Sequence, residues 1–192
     1  MPDATELCTR ADIKTMLGLS TSNQDALLDI IKASVEQYIK TYCGRDFLVA
    51  SYTEYYDGDG MNVLRTNQRP IISITSIHSD ASRLFEAASL IPASDIIGDA
   101  KSLRLGFVEL LTYQFIKGLK STKIVYSAGY SVIPTDISMA AKLIVCKQYK
   151  VIDKKMFAEK SQGVGDMTIT LAIDEFPKDA MRIVEAYRRL DF

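Results

Sequence analysis

The sequence predicts an α+β fold, a helical bundle of about four helices with an inserted antiparallel β-rich block. Three observations point there. Helical periodicity is strong toward both ends of the 192-residue chain. The middle, residues 47–130, is instead rich in alternating, β-branched and aromatic runs. The order is helix, helix, β block, helix, short strand, helix, so the block reads as an insertion between flanking helices that can pack together. Residues 1–192 are thus read as a single domain, helical over 9–46 and 134–192, with the β-rich insertion at 47–130.

Composition sets the outer limits. At 47% hydrophobic and 24% charged the chain resembles an ordinary folded protein, which argues against disorder over most of its length. The formal net charge is −1, so nothing global argues for attraction to nucleic acid or a membrane. No apolar run approaches the roughly 18–20 residues that span a bilayer. The polar, acidic start MPDATELCTRADIK does not read as a signal peptide. Cys8, Cys43 and Cys146 are odd in number and unpatterned, as expected of free thiols in a reducing cytoplasm. Cys43 and Cys146 fall in helical patterns and read as small core residues.

Thr9 is a candidate N-cap for a short helix, Arg10–Leu17, stopped by Gly18, with Ile13, Met16 and Leu17 on its buried edge. The longest periodic stretch comes next, at 24–47. Leu27, Leu28, Ile31, Val35, Tyr38, Ile39 and Tyr42 recur at three- and four-residue steps and share one side of a helix. Ser20, Thr21 or Ser22 can cap its start, because a side-chain oxygen there accepts from free backbone N–H groups. Gly44 follows the last periodic residue, where a left-handed C-cap favours glycine. About 20 residues at ~1.5 Å each make a helix about 30 Å long. A second set, Ala26, Ile30 and Ala33, lies off the main stripe. It has two readings: a widened core-facing surface, or a strip that packs on a neighbouring subunit.

Residues 47–56 read as a strand, and Asp57-Gly58-Asp59-Gly60 as the turn of a hairpin with 61–65. The same four residues lack the further oxygen ligands of a calcium loop. Residues 71–78, opened by Pro70, form another strand, and the single histidine, His78, ends it as an ordinary polar residue. Residues 84–87 suggest a short strand, 91–98 are ambiguous, and 103–105 and 108–115 look extended with turns near Gly106 and Gly118. Residues 123–129 are a strand ending at Gly129, which brings the block to five or more strands.

Helices return at Thr135, a candidate cap, with Asp136 in the first turn. Ile137, Ala140, Ala141, Ile144, Val145, Gln148 and Ile152 share a broad face, extended by Leu143 and Tyr149. Lys147, Lys150, Lys154, Lys155 and Lys160 suit a helix C-terminus in solvent. A phosphate-tracking role lacks the interleaved aromatics it needs. A polar linker at 158–165 resembles no phosphate loop. Residues 166–173 alternate as a strand. A last helix at 177–190 begins with Pro177 at its first position, groups Ala180, Ile183, Val184, Tyr187 and Leu190, and places Arg188 and Arg189 at its negative end.

No nucleophile motif, metal-binding spacing or glycine-rich phosphate loop is present, and near-absence of histidine removes the commonest general base. No catalytic residue, cofactor or metal site is expected.

Seven stretches, in collinear order over nearly the whole chain, resemble the head–tail connector (adaptor, or head completion) protein family of tailed bacteriophages and prophages. They are ADIKTMLGL, DALLDIIKASVEQYIKTYCGRDF, YYDGDG, RPIISITSI, KIVYSAGYSVIPTDISMAAKLIV, GVGDMTITL and FPKDAMRIVEAYRR. The most specific part is YSAGY-x-x-IP-x-DI before a helix, together with a YCGR-like helix end. Residues 81–120 match least. The resemblance implies a structural virion protein that forms a ring, commonly a dodecamer, on the portal, extends the DNA channel and docks the stopper or tail-completion protein. It implies a monomer when free, DNA that passes without specific binding, no membrane, and a place in the virion after assembly in the bacterial host cytoplasm. A ring of this kind joins two different faces of each subunit, and Ala26, Ile30 and Ala33 are the candidate for one. The family's C-terminal segment reaches the portal, which carries that role to Arg188, Arg189, Leu190, Asp191 and Phe192. The alternatives are a DNA-binding packaging accessory using the lysines of 147–160, another connector-stack protein, against which the two-helix start argues, and an enzyme.

Overall fold

The computed structural model describes residues 6–153, 161–164, 167–170 and 176–188. In chain order the elements are α1 (Arg10–Leu17), α2 (Asp25–Cys43), β1 (Ala50–Gly58), β2 (Val63–Arg65), β3 (Ile71–Ser79), β4 (Ile96–Ile97), α3 (Ala100–Leu105), β5 (Phe107–Leu110), β6 (Gly118–Ala128), α4 (Thr135–Asp153), β7 (Ser161–Val164), β8 (Met167–Thr170) and α5 (Lys178–Ala186). The class is α+β, with a fifth, short helix beyond the four expected. The chain divides into two compact units, one holding Arg45–Val132 and the other Thr5–Gly44 with Ile133–Phe192.

In the helical unit, α1 starts and stops where the sequence places it. Asp12 N donates to Thr9 Oγ1 at 3.1 Å, and Gly18 closes the helix with φ +70°. Ile13 is buried, but Met16, expected on the buried edge, is exposed. The start of α2 differs from expectation. Gln24 holds the cap position with no side-chain bond, so none of Ser20, Thr21 and Ser22 caps it; Asp25 N donates instead to the Ser22 carbonyl at 3.1 Å. The reason is a backbone turn that has already met this donor. Leu28, Ile31, Val35, Ile39 and Cys43 form the buried face of α2, and Leu27, Tyr38 and Tyr42 are not part of that fully buried row. Helix α4 packs on α1, α2 and α5. Its Ala140 and Ala141, both fully buried among Ile137, Ile144 and Val145, let neighbours approach closely. Thr135 is the first helical residue rather than the cap, because the Pro134 carbonyl already accepts the Ser138 N–H at 3.1 Å. Pro177 precedes α5 as its cap rather than opening it, and the helix ends at Ala186, short of 190. β7 and β8 form a two-stranded antiparallel sheet, so part of the expected linker is strand.

In the β-rich unit two three-stranded antiparallel sheets form, ordered β1-β6-β3 and β2-β5-β4. Their shared core holds Leu64, Ile77, Val108, Leu110, Phe115, Ile124 and Tyr126. Each fully buried aliphatic or aromatic side chain there contributes about 1.5–3 kcal/mol. The expected hairpin of 47–56 with 61–65 does not form: β1 pairs β6, and β2 pairs β5. Long-range bonds take up the Asp-Gly-Asp-Gly turn. Asp57 Oδ1 accepts from Lys120 N at 2.7 Å, and Gly60 N donates to the Phe115 carbonyl at 3.0 Å. The expected strand at 84–87 is a loop, because the Asp80 carboxylate accepts from the backbone N–H groups of Ser82, Leu84 and Phe85 at 2.8, 3.0 and 2.9 Å. Residues 103–105 are helical, not extended, since Asp99 caps α3 by accepting from Ser102 N at 2.9 Å. β5 stops at Leu110 rather than near 115 because Asp95 captures Thr112 N and Tyr113 N at 2.9 and 3.0 Å.

One polar cluster ties the 66–69 loop to the first sheet. Tyr52, Glu54 and Tyr56 alternate onto one face of β1. Tyr56 and Tyr126 both donate to Glu54 Oε2, the latter at 2.6 Å. Asn67 N donates to the Tyr56 hydroxyl at 2.7 Å and Gln68 N to the Tyr126 hydroxyl at 3.1 Å. Burial, then the bond to Glu54, raises both phenols above their ordinary range.

Candidate functional site

Three exposed surfaces are the candidate features among the described residues. Among the described residues no cluster of histidine, cysteine or carboxylate side chains is placed to hold a metal, and no helix is long and apolar enough to cross a membrane. His78 Nδ1 lies 3.2 Å from Ser89 Oγ. All three cysteines are buried, and burial pushes the Cys8 thiol up to about 12, far from a reactive thiolate.

The first surface is the outer side of α2. Ala26, Ile30 and Ala33 are all exposed, and Ile30 is 68% exposed. The reading of this set as a widened core-facing surface is therefore set aside. Ion pairs hold the helix that presents it. Lys14 Nζ lies 2.7 Å from Asp25 Oδ1, Arg10 reaches Asp29 at 2.6 Å, and Lys32 pairs Glu6. Lys142 on α4 meets Asp12 on α1 at 3.0 Å. The hydrogen bond from Lys14 holds the Asp25 carboxyl below the usual range, and that from Lys142 does the same for Asp12.

The second is the C-terminal segment. Arg188 is exposed, with its guanidinium 5.6 Å from the Tyr42 ring centroid. Arg189, Leu190, Asp191 and Phe192 lie outside the described residues, as do Lys154, Lys155 and Lys160. Arg188 is thus the C-terminal candidate among the described residues, and the ring beneath it, Tyr42, lies on α2 outside the Ala26, Ile30 and Ala33 strip.

The third was missed in the sequence. In the β-rich unit Met61, Leu84, Leu111 and Leu119 are each 63–70% exposed. Phe115, whose N–H donates to the Met61 carbonyl at 2.8 Å, is fully buried. Arg83, Phe85 and Lys120 beside them adopt φ of 62°, 54° and 50°, conformations that bulky residues rarely take. The only signal for this surface in the sequence is the density of apolar residues in LTYQFIKGLK, which reads equally as an extended core segment.

The two most specific motifs meet at the base of the β-rich unit. Arg45 of YCGR is buried with its guanidinium 5.0 Å from the Phe47 ring centroid and 5.5 Å from that of Tyr130, in YSAGY. Tyr130 N donates to the Phe47 carbonyl at 2.8 Å, and Leu48 and Tyr130 form a parallel bridge. Gly129 fits there at φ +126° because a Cβ would come within 2.4 Å of the Leu48 carbonyl oxygen.

Comparison with known proteins agrees in one direction. A model of the family described as head completion protein matches residues 6–190. No curated protein matches in sequence. Among solved structures, the neck of a native gene transfer agent particle computed with C12 symmetry aligns with a TM-score of 0.57 at 15% identity, covering 95% of this chain and 88% of that one. The neck of the empty particle computed with C6 symmetry gives 0.56 at 15%, covering 95% and 89%. A chain of the native gene transfer agent virion gives 0.56 at 14%, covering 95% and 89%. These likenesses are of fold.

Proposed function

Because the chain belongs to the head completion protein family, we propose that it is a head–tail connector subunit that assembles as a ring on the portal, extends the DNA channel and docks a stopper or tail-completion protein. Its role is structural rather than enzymatic. The family match over residues 6–190 is the observation that carries this reading. The twelvefold and sixfold symmetries of the similar neck structures support a ring, and a dodecamer is the expected closed form. The free chain is a monomer, and the portal templates closure. DNA passes through the channel without sequence-specific contact, in keeping with a net charge of −1. The assembled protein belongs to the virion, after assembly in the host cytoplasm.

Within the ring, the Ala26, Ile30 and Ala33 strip contributes one of the two unlike faces that head-to-tail contact needs. Residues 188–192 reach the portal. Each chain acts as one connector subunit, with the Thr5–Gly44 and Ile133–Phe192 parts joined through the β-rich insertion. Electron microscopy of the protein mixed with its portal tests the reading. Rings stacked on the portal are expected. Portal particles that stay bare at saturating protein overturn it, and a salt-sensitive duplex-DNA complex in their place favours a packaging accessory.

A further inference from the structure

We propose that the outer edge of β1 is completed by the β7–β8 hairpin of a second copy of this chain, an inference that rests on the ring reading above. The sheet β1-β6-β3 has two edges, and they differ. The β3 edge is protected twice. Its register breaks between Ile71 and Ser73 and again between Ile74 and Ser76. Leu90 bridges His78, and Ile91 N donates to the Ile77 carbonyl at 2.8 Å, so a segment lies along it. Bulges and covering segments are how natural sheets blunt an edge. Among the described residues β1 carries neither over most of its length. It pairs β6 without a break from Ala50↔Ala128 to Tyr56↔Thr122, and among the described residues no strand lies on its other side. Its sequence, ASYTEYYDG, holds no proline and no lysine, and Glu54 is occupied by Tyr56 and Tyr126. The edge strands of the second sheet, β2 and β4, have only three and two residues. A long, regular row of open backbone N–H and C=O groups is recognised by one chemistry, an extended strand.

The hairpin offers the other half. β7 and β8 have four residues each and no third strand among the described residues. A two-stranded ribbon is marginal by itself and gains from a further strand. Head-to-tail closure needs two unlike faces, and an open sheet edge and an open ribbon edge are unlike and complementary. The size also fits. A ladder of four residues buries far less than the ~1,200 Å² of a stable pair. It therefore adds to other contacts inside a ring and does not hold free copies together.

The full-length chain on its portal provides the test. Single cysteines at Ser51, Thr53 or Tyr55 are combined with single cysteines at each position of β7 (Ser161–Val164) and β8 (Met167–Thr170), so that either edge of the ribbon is sampled in every register. The native cysteines are buried and out of reach. At least one pair is expected to give, on mild oxidation, a ladder of covalent multimers that neither single variant gives. Amides of 50–56 are expected to exchange at least tenfold more slowly in rings than in the free subunit. Rings whose β1 amides exchange at the free rate overturn the pairing alone. So does a cross-link confined to the monomer, or protection of β1 without a ladder from any pair. If the unmutated chain forms no ring on its portal by electron microscopy, the ring reading fails first and the pairing falls with it.

Discussion

Gly129 occupies a position closed to other residues by both its φ of +126° and the Leu48 carbonyl. Gly129→Ala is expected to lose about 1–3 kcal/mol in urea unfolding. Gly98→Ala, where an added Cβ meets nothing within 4 Å, should change stability by less than ~0.5 kcal/mol. The carboxyls of Asp12 and Asp25 give a second residue-level expectation. Each has a folded value held below its unfolded one by a lysine hydrogen bond. Such a group stabilises fully above the unfolded value of ~3.9 and loses that contribution as pH falls through the folded value. The thermal midpoint should therefore fall on acidification below about pH 4. Asp25→Asn should lower the midpoint at neutral pH and flatten that acid limb. Neutral-pH stability unchanged by the substitution would remove the ion pair from the account.

Local order made α2 readable at the scale of elements. Leu28, Ile31, Val35 and Ile39 recur with the helical period, and the same period turns Ala26, Ile30 and Ala33 outward. Ile30→Glu is expected to fold within ~0.5 kcal/mol of the parent and to form no rings on the portal by electron microscopy; rings as abundant as the parent's would take the interface off this strip. Strand partners were not legible. Asp57-Gly58-Asp59-Gly60 favours a local hairpin, yet β1 gains more from a long ladder with β6, whose residues lie far away in sequence. Asp80 and Asp99 bind backbone N–H groups a few residues on, which turns the chain into loop and helix there, while Asp95 ends β5 by binding those of Thr112 and Tyr113, distant from it in sequence. An aspartate's preference for turns is visible in a sequence, but which N–H groups it will capture is decided by packing around it.

For the whole molecule, the collinear motifs announced the family, while the contact between Arg45, Phe47 and Tyr130 that explains two of them emerged only on folding. Removing residues 188–192 is expected to weaken portal binding at least tenfold, about 1.4 kcal/mol, by co-sedimentation. The circular dichroism melt should stay close to the parent's, since the stacking of Arg188 over Tyr42 is worth only about 0.5–1 kcal/mol at an exposed position. Full portal binding by the shortened chain would place the portal-facing surface elsewhere. The bridge between Leu48 and Tyr130 has a consequence of another kind. It sets residues near the start and the end of the β-rich unit side by side, so the chain enters and leaves that unit at neighbouring points. An insertion in an exposed turn between two of its strands therefore leaves those two points where they are.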